Sequence, residues 1–192
     1  MLTLGVVLVA VFINPLTERV QYTSPLVFML SHYALFGAGL LFGYALLTIR
    51  RRVWFIGVGI AVIWHVPQMF ALSAGLPLFR GIEEATMLLG GVLIGSNTHT
   101  IGQKAKLTLI TLWLLGDTIL SVIFIGEPAL YSHINIPYSP YEPLGFPPTG
   151  VAMVLLMNAV LIYIVYSYVR RVSSMVIRAQ GASDKRNELD DA

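Results

Sequence analysis

The chain reads as an all-α, polytopic membrane protein, a bundle of about six transmembrane helices with both termini cytoplasmic. Three observations predict this. Hydrophobic residues fill 56% of the 192 positions and charged residues only 11%, against about 25% charged in an ordinary soluble domain. The apolar residues gather in long runs that charge or Pro/Gly clusters interrupt, as spanning helices do. The lysines and arginines gather in alternate loops, as the positive-inside rule requires.

The first run, 1–13, is apolar with no basic residue before it and ends at Asn14-Pro15. A secretory signal opens with positive charge and closes on small residues, so this run reads as a short first helix, the alternative being an uncleaved signal anchor. Further helices are predicted near 26–49, 53–74, 82–97, 107–126 and 150–169. At about 1.5 Å per residue, a core of about 30 Å needs roughly 20 residues. The second, third, fifth and sixth runs meet that length. The first and fourth are short and call for a thin or protein-lined setting.

Arg50, Arg51 and Arg52 join the second and third runs, and Lys104 and Lys106 join the fourth and fifth. Arg170, Arg171, Arg178, Lys185 and Arg186 come after the sixth. Six alternating helices put all of these on one side and leave only Arg19 and Arg80 on the other. The loop 127–148 faces outward. It holds six of the ten prolines together with Tyr131, Tyr138 and Tyr141, and no lysine or arginine. Proline prevents a continuous helix and tyrosine favours the lipid–water interface, so a folded-back cap is expected. Residues 1–178 read as a single transmembrane domain, and 179–192 as a polar cytoplasmic tail of disordered composition. Gly39/Gly43 and Gly91/Gly95, at four-residue spacing, allow helices to approach closely and carry no functional message.

Composition also excludes. With no cysteine there is no disulfide, thiolate metal site or cysteine nucleophile. A pI near 9.0 reflects juxtamembrane topology signals and not a nucleic-acid patch. There is no Gly-rich phosphate loop, H-E-x-x-H or G-x-S-x-G, so the expectation is a protein that is not an enzyme.

Ionisable groups inside hydrocarbon are costly and mark function by default. His32 lies seven residues past Pro25 and His65 thirteen past Arg52. Counted from opposite surfaces, the two reach about the same depth on consecutive antiparallel helices. Met29 precedes His32 by three, Met69 comes four after His65, and Glu83 precedes Met87 by four, spacings that share a helix face. Imidazole and thioether together suit copper(I). Asp117 sits near mid-membrane in the fifth run, and Glu84 near the outer boundary. Each has a plainer role available. The histidines and Asp117 can be hydrogen-bonded core residues, the methionines can be packing, and Glu83 and Glu84 can answer the positive end of a helix they begin.

The segment Trp64-His65-Val66-Pro67, and after it Arg80-Gly81-Ile82-Glu83-Glu84, resembles the CtaG family of cytochrome c oxidase assembly factors, and most closely its small archaeal relatives of unassigned function. That family carries a W-H-x-P helix, then a helix opening on H-x-x-E-H, and a histidine in an earlier helix where Ser31-His32 falls. Leu130-Tyr131 resembles its L-Y motif. The likeness covers about 26–168. It implies a membrane protein that places copper in a haem–copper oxidase, and it carries over His32, His65 and Glu83. Arg80 and Glu84 replace two of the family's histidines, and the chain is shorter than its seven-helix members.

Three functions are therefore expected. One is a cell-membrane assembly factor holding copper(I) on His32 and His65, with Met29, Met69 and Glu83 as further ligands and terminal-oxidase subunits as partners. Another is a subunit binding haem b between the two histidines, with Gly37, Gly39, Gly57 and Gly59 making room for the macrocycle. The third is a structural subunit of a respiratory complex that docks through the Pro/Tyr loop. Transport ranks fourth, resting on Asp117 alone.

Overall fold

The computed structural model describes the backbone of residues 1–190 and the side chains of all of these except Arg171 and 175–190. Its regular elements are all helical: α1 (Leu2–Phe12), α2 (Pro15–Gln21), α3 (Pro25–Leu46), α4 (Trp54–Trp64), α5 (Pro67–Gly75), α6 (Pro77–Asn97), α7 (Gln103–Gly126) and α8 (Phe146–Asp190), with 3-10 turns at Pro128–Tyr131 and Pro143–Gly145. The chain divides into two compact units, Met1–Met153 and Val154–Ala192. The second unit holds the larger part of α8, and the expected polar tail over 179–192 falls where side chains lie outside the described residues. The helices α1 to α7 and the start of α8 make up the first unit, which carries the bundle.

Three segments are long and apolar enough to cross a membrane, namely α3, α7 and Pro143–Ser174, or five if two bent helix pairs each count as one span. The fold is therefore an apolar helical bundle of multi-pass type. Helix α6 is also long enough, at 21 residues, but it carries Arg80, Glu83 and Glu84.

Two of the predicted runs are not single helices. The first run extends past residue 13 as α1 and α2, bent by 62°. Asn14 makes the corner: its Oδ1 accepts from the Leu16 and Thr17 amides at 3.0 and 3.1 Å, its Nδ2 donates back to the Val11 carbonyl, and Pro15 starts α2. The third run, 53–74, breaks into α4 and α5 with a 76° bend. Pro67 has no N–H to donate and drives the residue before it out of the helical region. Val66 accordingly sits at ψ 136°. A third difference concerns the fourth run, which begins at Pro77 and not at 82. Glu83 and Glu84 therefore lie beyond the first turn, where the helix N-terminus no longer accounts for them.

Helix α3 packs on α6 along a glycine seam. A Cβ on Gly39 would run into the Leu88 carbonyl, one on Gly43 into the Val92 carbonyl, and on the facing helix one on Gly91 or Gly95 would strike the Phe36 or Leu40 carbonyl. The two backbones touch, which is the close approach that the four-residue spacing predicts.

The loop 127–148 closes one end of this unit. Contrary to the interfacial placement expected of its tyrosines, Tyr131 and Tyr141 are buried in the main apolar cluster with Phe28, Phe70, Phe124 and Phe146. Only Tyr138 is exposed. Each buried hydroxyl finds a main-chain acceptor near a helix break: Tyr131 donates to the His65 carbonyl at 2.7 Å and Tyr141 to the Gln21 carbonyl at 2.5 Å. Carbonyls freed at a bend have no water to turn to inside a bundle, so the cap supplies their partners. At the other end, the α3–α4 loop, which carries Arg50, Arg51 and Arg52, is bonded to Asn97 at the end of α6, and Lys104 and Lys106 lie in the first turn of α7.

Candidate functional site

His32 comes from the second turn of α3 and is 1% exposed. Its Nδ1 bonds the Phe28 carbonyl at 2.8 Å, one turn back. His65 stands at the α4–α5 break, where its Nδ1 bonds the Ala61 carbonyl at 2.6 Å. A carbonyl only accepts, so both rings carry their proton on Nδ1, and each neutral ring keeps a lone pair on Nε2. Metal-binding histidines have their other nitrogen held in the same way. The ring centroids are 5.5 Å apart at 64°.

Glu83 of α6, fully buried, brings Oε1 to 3.1 Å from His32 Nε2. The approach is at hydrogen-bond distance but not in hydrogen-bond alignment. His32 Nε2 and both Glu83 oxygens are therefore left without hydrogen-bond partners. Oε1 and Nε2 face each other, and with Glu83 ionised there is no donor between them. Such atoms are expensive to leave unpaired, and a shared proton or a bound cation would satisfy them.

Arg80 is the charge the sequence reading left in a loop. Assigned there to the outer side by alternation of loops, it lies inside α6 and is 3% exposed. Its guanidinium donates to the carbonyls of Ala74 (2.7 Å), Ser73 (3.3 Å) and Glu18 (3.3 Å), and covers the Tyr22 ring at 3.9 Å. Pro77 opens α6 three residues earlier than Arg80 and is the signal that places this arginine on a helix. Glu84, buried on the same helix, leaves Oε1 unpartnered.

The predicted auxiliary ligands lie on three different helices. Met29 is 1% exposed and packs in the aromatic cluster beside Phe28. Met87 is 3% exposed on α6. Met69 is half-buried on α5, and the bend removes the shared helix face that spacing gave it with His65. Asp117 belongs to a different place. It takes a short hydrogen bond from the Tyr33 hydroxyl, between α7 and α3, while its Oδ2 and the Ser121 Oγ one turn on lack partners. Tyr33 escaped the sequence reading because a tyrosine in an apolar run carries no mark of its own. Tyr33→Phe strips Asp117 of this donor and is expected to cost about 1–3 kcal/mol, visible as a lower midpoint of thermal unfolding in detergent.

Haem does not fit. Phe28 packs edge-on to the His32 ring at 4.5 Å, and Phe70 stacks on it at 6.3 Å. His65 meets it edge to face, and Glu83 holds the space before Nε2. No slot for a macrocycle separates the two imidazoles. The 3.1 Å N···O separation equals that of two donors on one ion at about 2 Å each, and equally that of a hydrogen-bonded pair. Among the described residues no three His, Asp or Glu side chains stand close enough together to hold a metal as placed. A metal held here would have His32 and Glu83 as donors, with the His65 ring centroid 5.5 Å from that of His32.

No curated protein and no solved structure matches the chain. Among protein families, residues 3–171 match one described as a protein of unknown function, DUF1404. That match spans most of the chain, which belongs to the DUF1404 family.

Proposed function

We propose that this is a non-catalytic protein of the cell membrane that holds copper(I) at His32, Glu83 and His65 and serves the assembly of a haem–copper terminal oxidase. The observation that carries the metal reading is the trio of unpartnered buried acceptors, His32 Nε2 and the two Glu83 oxygens, beside a second imidazole whose Nε2 keeps its lone pair. Charge supports a monovalent ion. If both buried α6 carboxylates are ionised they outnumber Arg80 by one, and one positive charge, a proton or a monovalent metal ion, restores balance. Imidazole is a good ligand for copper. The oxidase partner rests on the resemblance carried by Trp64-His65-Val66-Pro67 and the α6 segment.

Copper(I) titration of the purified protein in detergent, against a competing chelator, tests this. One ion per chain is expected, with affinity falling at least about tenfold in His65→Ala and in Glu83→Gln, the range for loss of a ligand or its support. Equal binding by wild type and both variants removes the metal reading.

A second reading has an observation of its own. A proton is also a monovalent cation, and the 3.1 Å His32–Glu83 approach accommodates one. The protein is then an accessory subunit of a respiratory complex. Stoichiometric co-purification with oxidase subunits, free of copper, favours this reading over the first.

A further inference from the structure

The basic end of the bundle is built as well as charged. Asn97, the fully buried last residue of α6, clamps the loop between α3 and α4. Its Oδ1 accepts from the Val53 and Trp54 amides at 3.0 and 2.9 Å, and its Nδ2 donates to the Ile49 and Arg51 carbonyls at 2.6 and 3.0 Å. The Ile49 amide donates to the Ser96 carbonyl at 3.0 Å, and Thr100 Oγ1 donates to the Ile49 carbonyl at 3.1 Å. Much of the loop's main chain is thus tied inward to the end of α6. The side chains of Arg50, Arg51 and Arg52 are exposed and have no ion pair among the described residues.

These three arginines line one cavity of about 470 Å³ with Trp54, Thr100 and Gly102. Helix α7 opens at the same place. Its N-cap is Gly102, which has no side chain to cap with, so the first amides of a 24-residue helix remain available to an acceptor. Guanidinium forks and free helix amides are both phosphate-binding chemistry. Trp54 beside them is the residue that marks headgroup depth in a bilayer.

We propose that this cavity binds a phosphate group, as carried by an anionic phospholipid headgroup at the basic face of the membrane. Arg50, Arg51 and Arg52 supply the forks and the start of α7 supplies amides. Basic pockets between helices on that side hold such headgroups. The plainer reading makes the arginines topology signals only. That role needs positive charge and nothing else, with neither a pinned loop nor a cavity. The proposal is independent of the copper site.

Native mass spectrometry of the full chain, released from mixed phosphatidylglycerol and phosphatidylcholine micelles, tests it. Preferential retention of one phosphatidylglycerol per chain is expected. Replacing all three arginines by lysine keeps the charge, and so the topology, but removes the forks; retention is expected to fall about tenfold, since planar bidentate recognition is lost. Millimolar inorganic phosphate, added to the protein in the same mixed micelles, separates the sources. Arginine-dependent thermal stabilisation by phosphate, with displacement of the lipid, assigns the site to free phosphate. No such effect, with lipid retained, assigns it to the headgroup. Equal retention of both lipids without a phosphate effect, or a lysine variant that behaves as wild type, overturns the proposal.

Discussion

Gly39→Ala is expected to lower the thermal unfolding midpoint by roughly 10 °C, while Gly37→Ala two residues earlier leaves it unchanged or slightly raised. The new Cβ at residue 39 meets the Leu88 carbonyl, with the Val92 amide and the Gly91 Cα close behind. All of these are main-chain atoms, so no rotamer change makes room, and α3 must move off α6. Overpacking of a tight contact costs about 1–3 kcal/mol, and an obstacle made of backbone belongs at the top of that range. In a chain of this size about 2–4 °C is lost per kcal/mol. A Cβ at Gly37 meets nothing within 4 Å, and alanine there gains helix propensity. Circular dichroism during heating in detergent measures both. Equal behaviour of the two variants would mean that the seam between α3 and α6 is not a backbone contact.

Arg80→Met is expected to be the most damaging single substitution in the chain, at about 3–5 kcal/mol, the cost of removing one member of a buried charge group. Methionine fills much of the same volume but supplies no donor. The Ser73, Ala74 and Glu18 carbonyls lose their partner, and the buried Glu83 and Glu84 lose the positive charge beside them. The origin of the damage is testable by rescue. If stranded carboxylates cause it, adding Glu83→Gln and Glu84→Gln restores a good part of the stability. If the lost carbonyl bonds dominate, the triple variant stays as unstable as Arg80→Met alone. Stability of the single, double and triple variants, read as a mutant cycle, separates the two.

The bundle was legible because hydropathy and charge placement are additive along a chain. Each of the six apolar runs returns as one helix or one bent pair. The proximity of His32 and His65 was also legible: helical rise is constant, so counting along two antiparallel helices predicts neighbouring rings, and their centroids are 5.5 Å apart. What escaped was set by hydrogen-bond supply, to which hydropathy is blind. Pro67 stood in plain view inside the W-H-V-P motif, but its missing amide, not its polarity, breaks the third run. Arg80 was read as a loop charge because it separates two apolar stretches, though Pro77 had already begun the helix. Glu83 was picked out from its spacing, whereas its meeting with His32 depends on how α3 and α6 rotate along the glycine seam. Tyr131 and Tyr141 read as interfacial because an aromatic hydroxyl suits that place equally well. Only the positions of the freed carbonyls show why both point inward.

The bond from Tyr131 to the His65 carbonyl joins residues 66 apart in the chain, and this sets an order of events during synthesis. The bend between α4 and α5 emerges from the ribosome long before the tyrosine that completes it. Until α6 and α7 have been threaded and the segment after them has folded back, the corner beside the candidate site lacks its last main-chain partner. A nascent chain halted before residue 131 therefore holds the His65 imidazole in an unfinished elbow, and completion of that elbow waits on the late arrival of the cap.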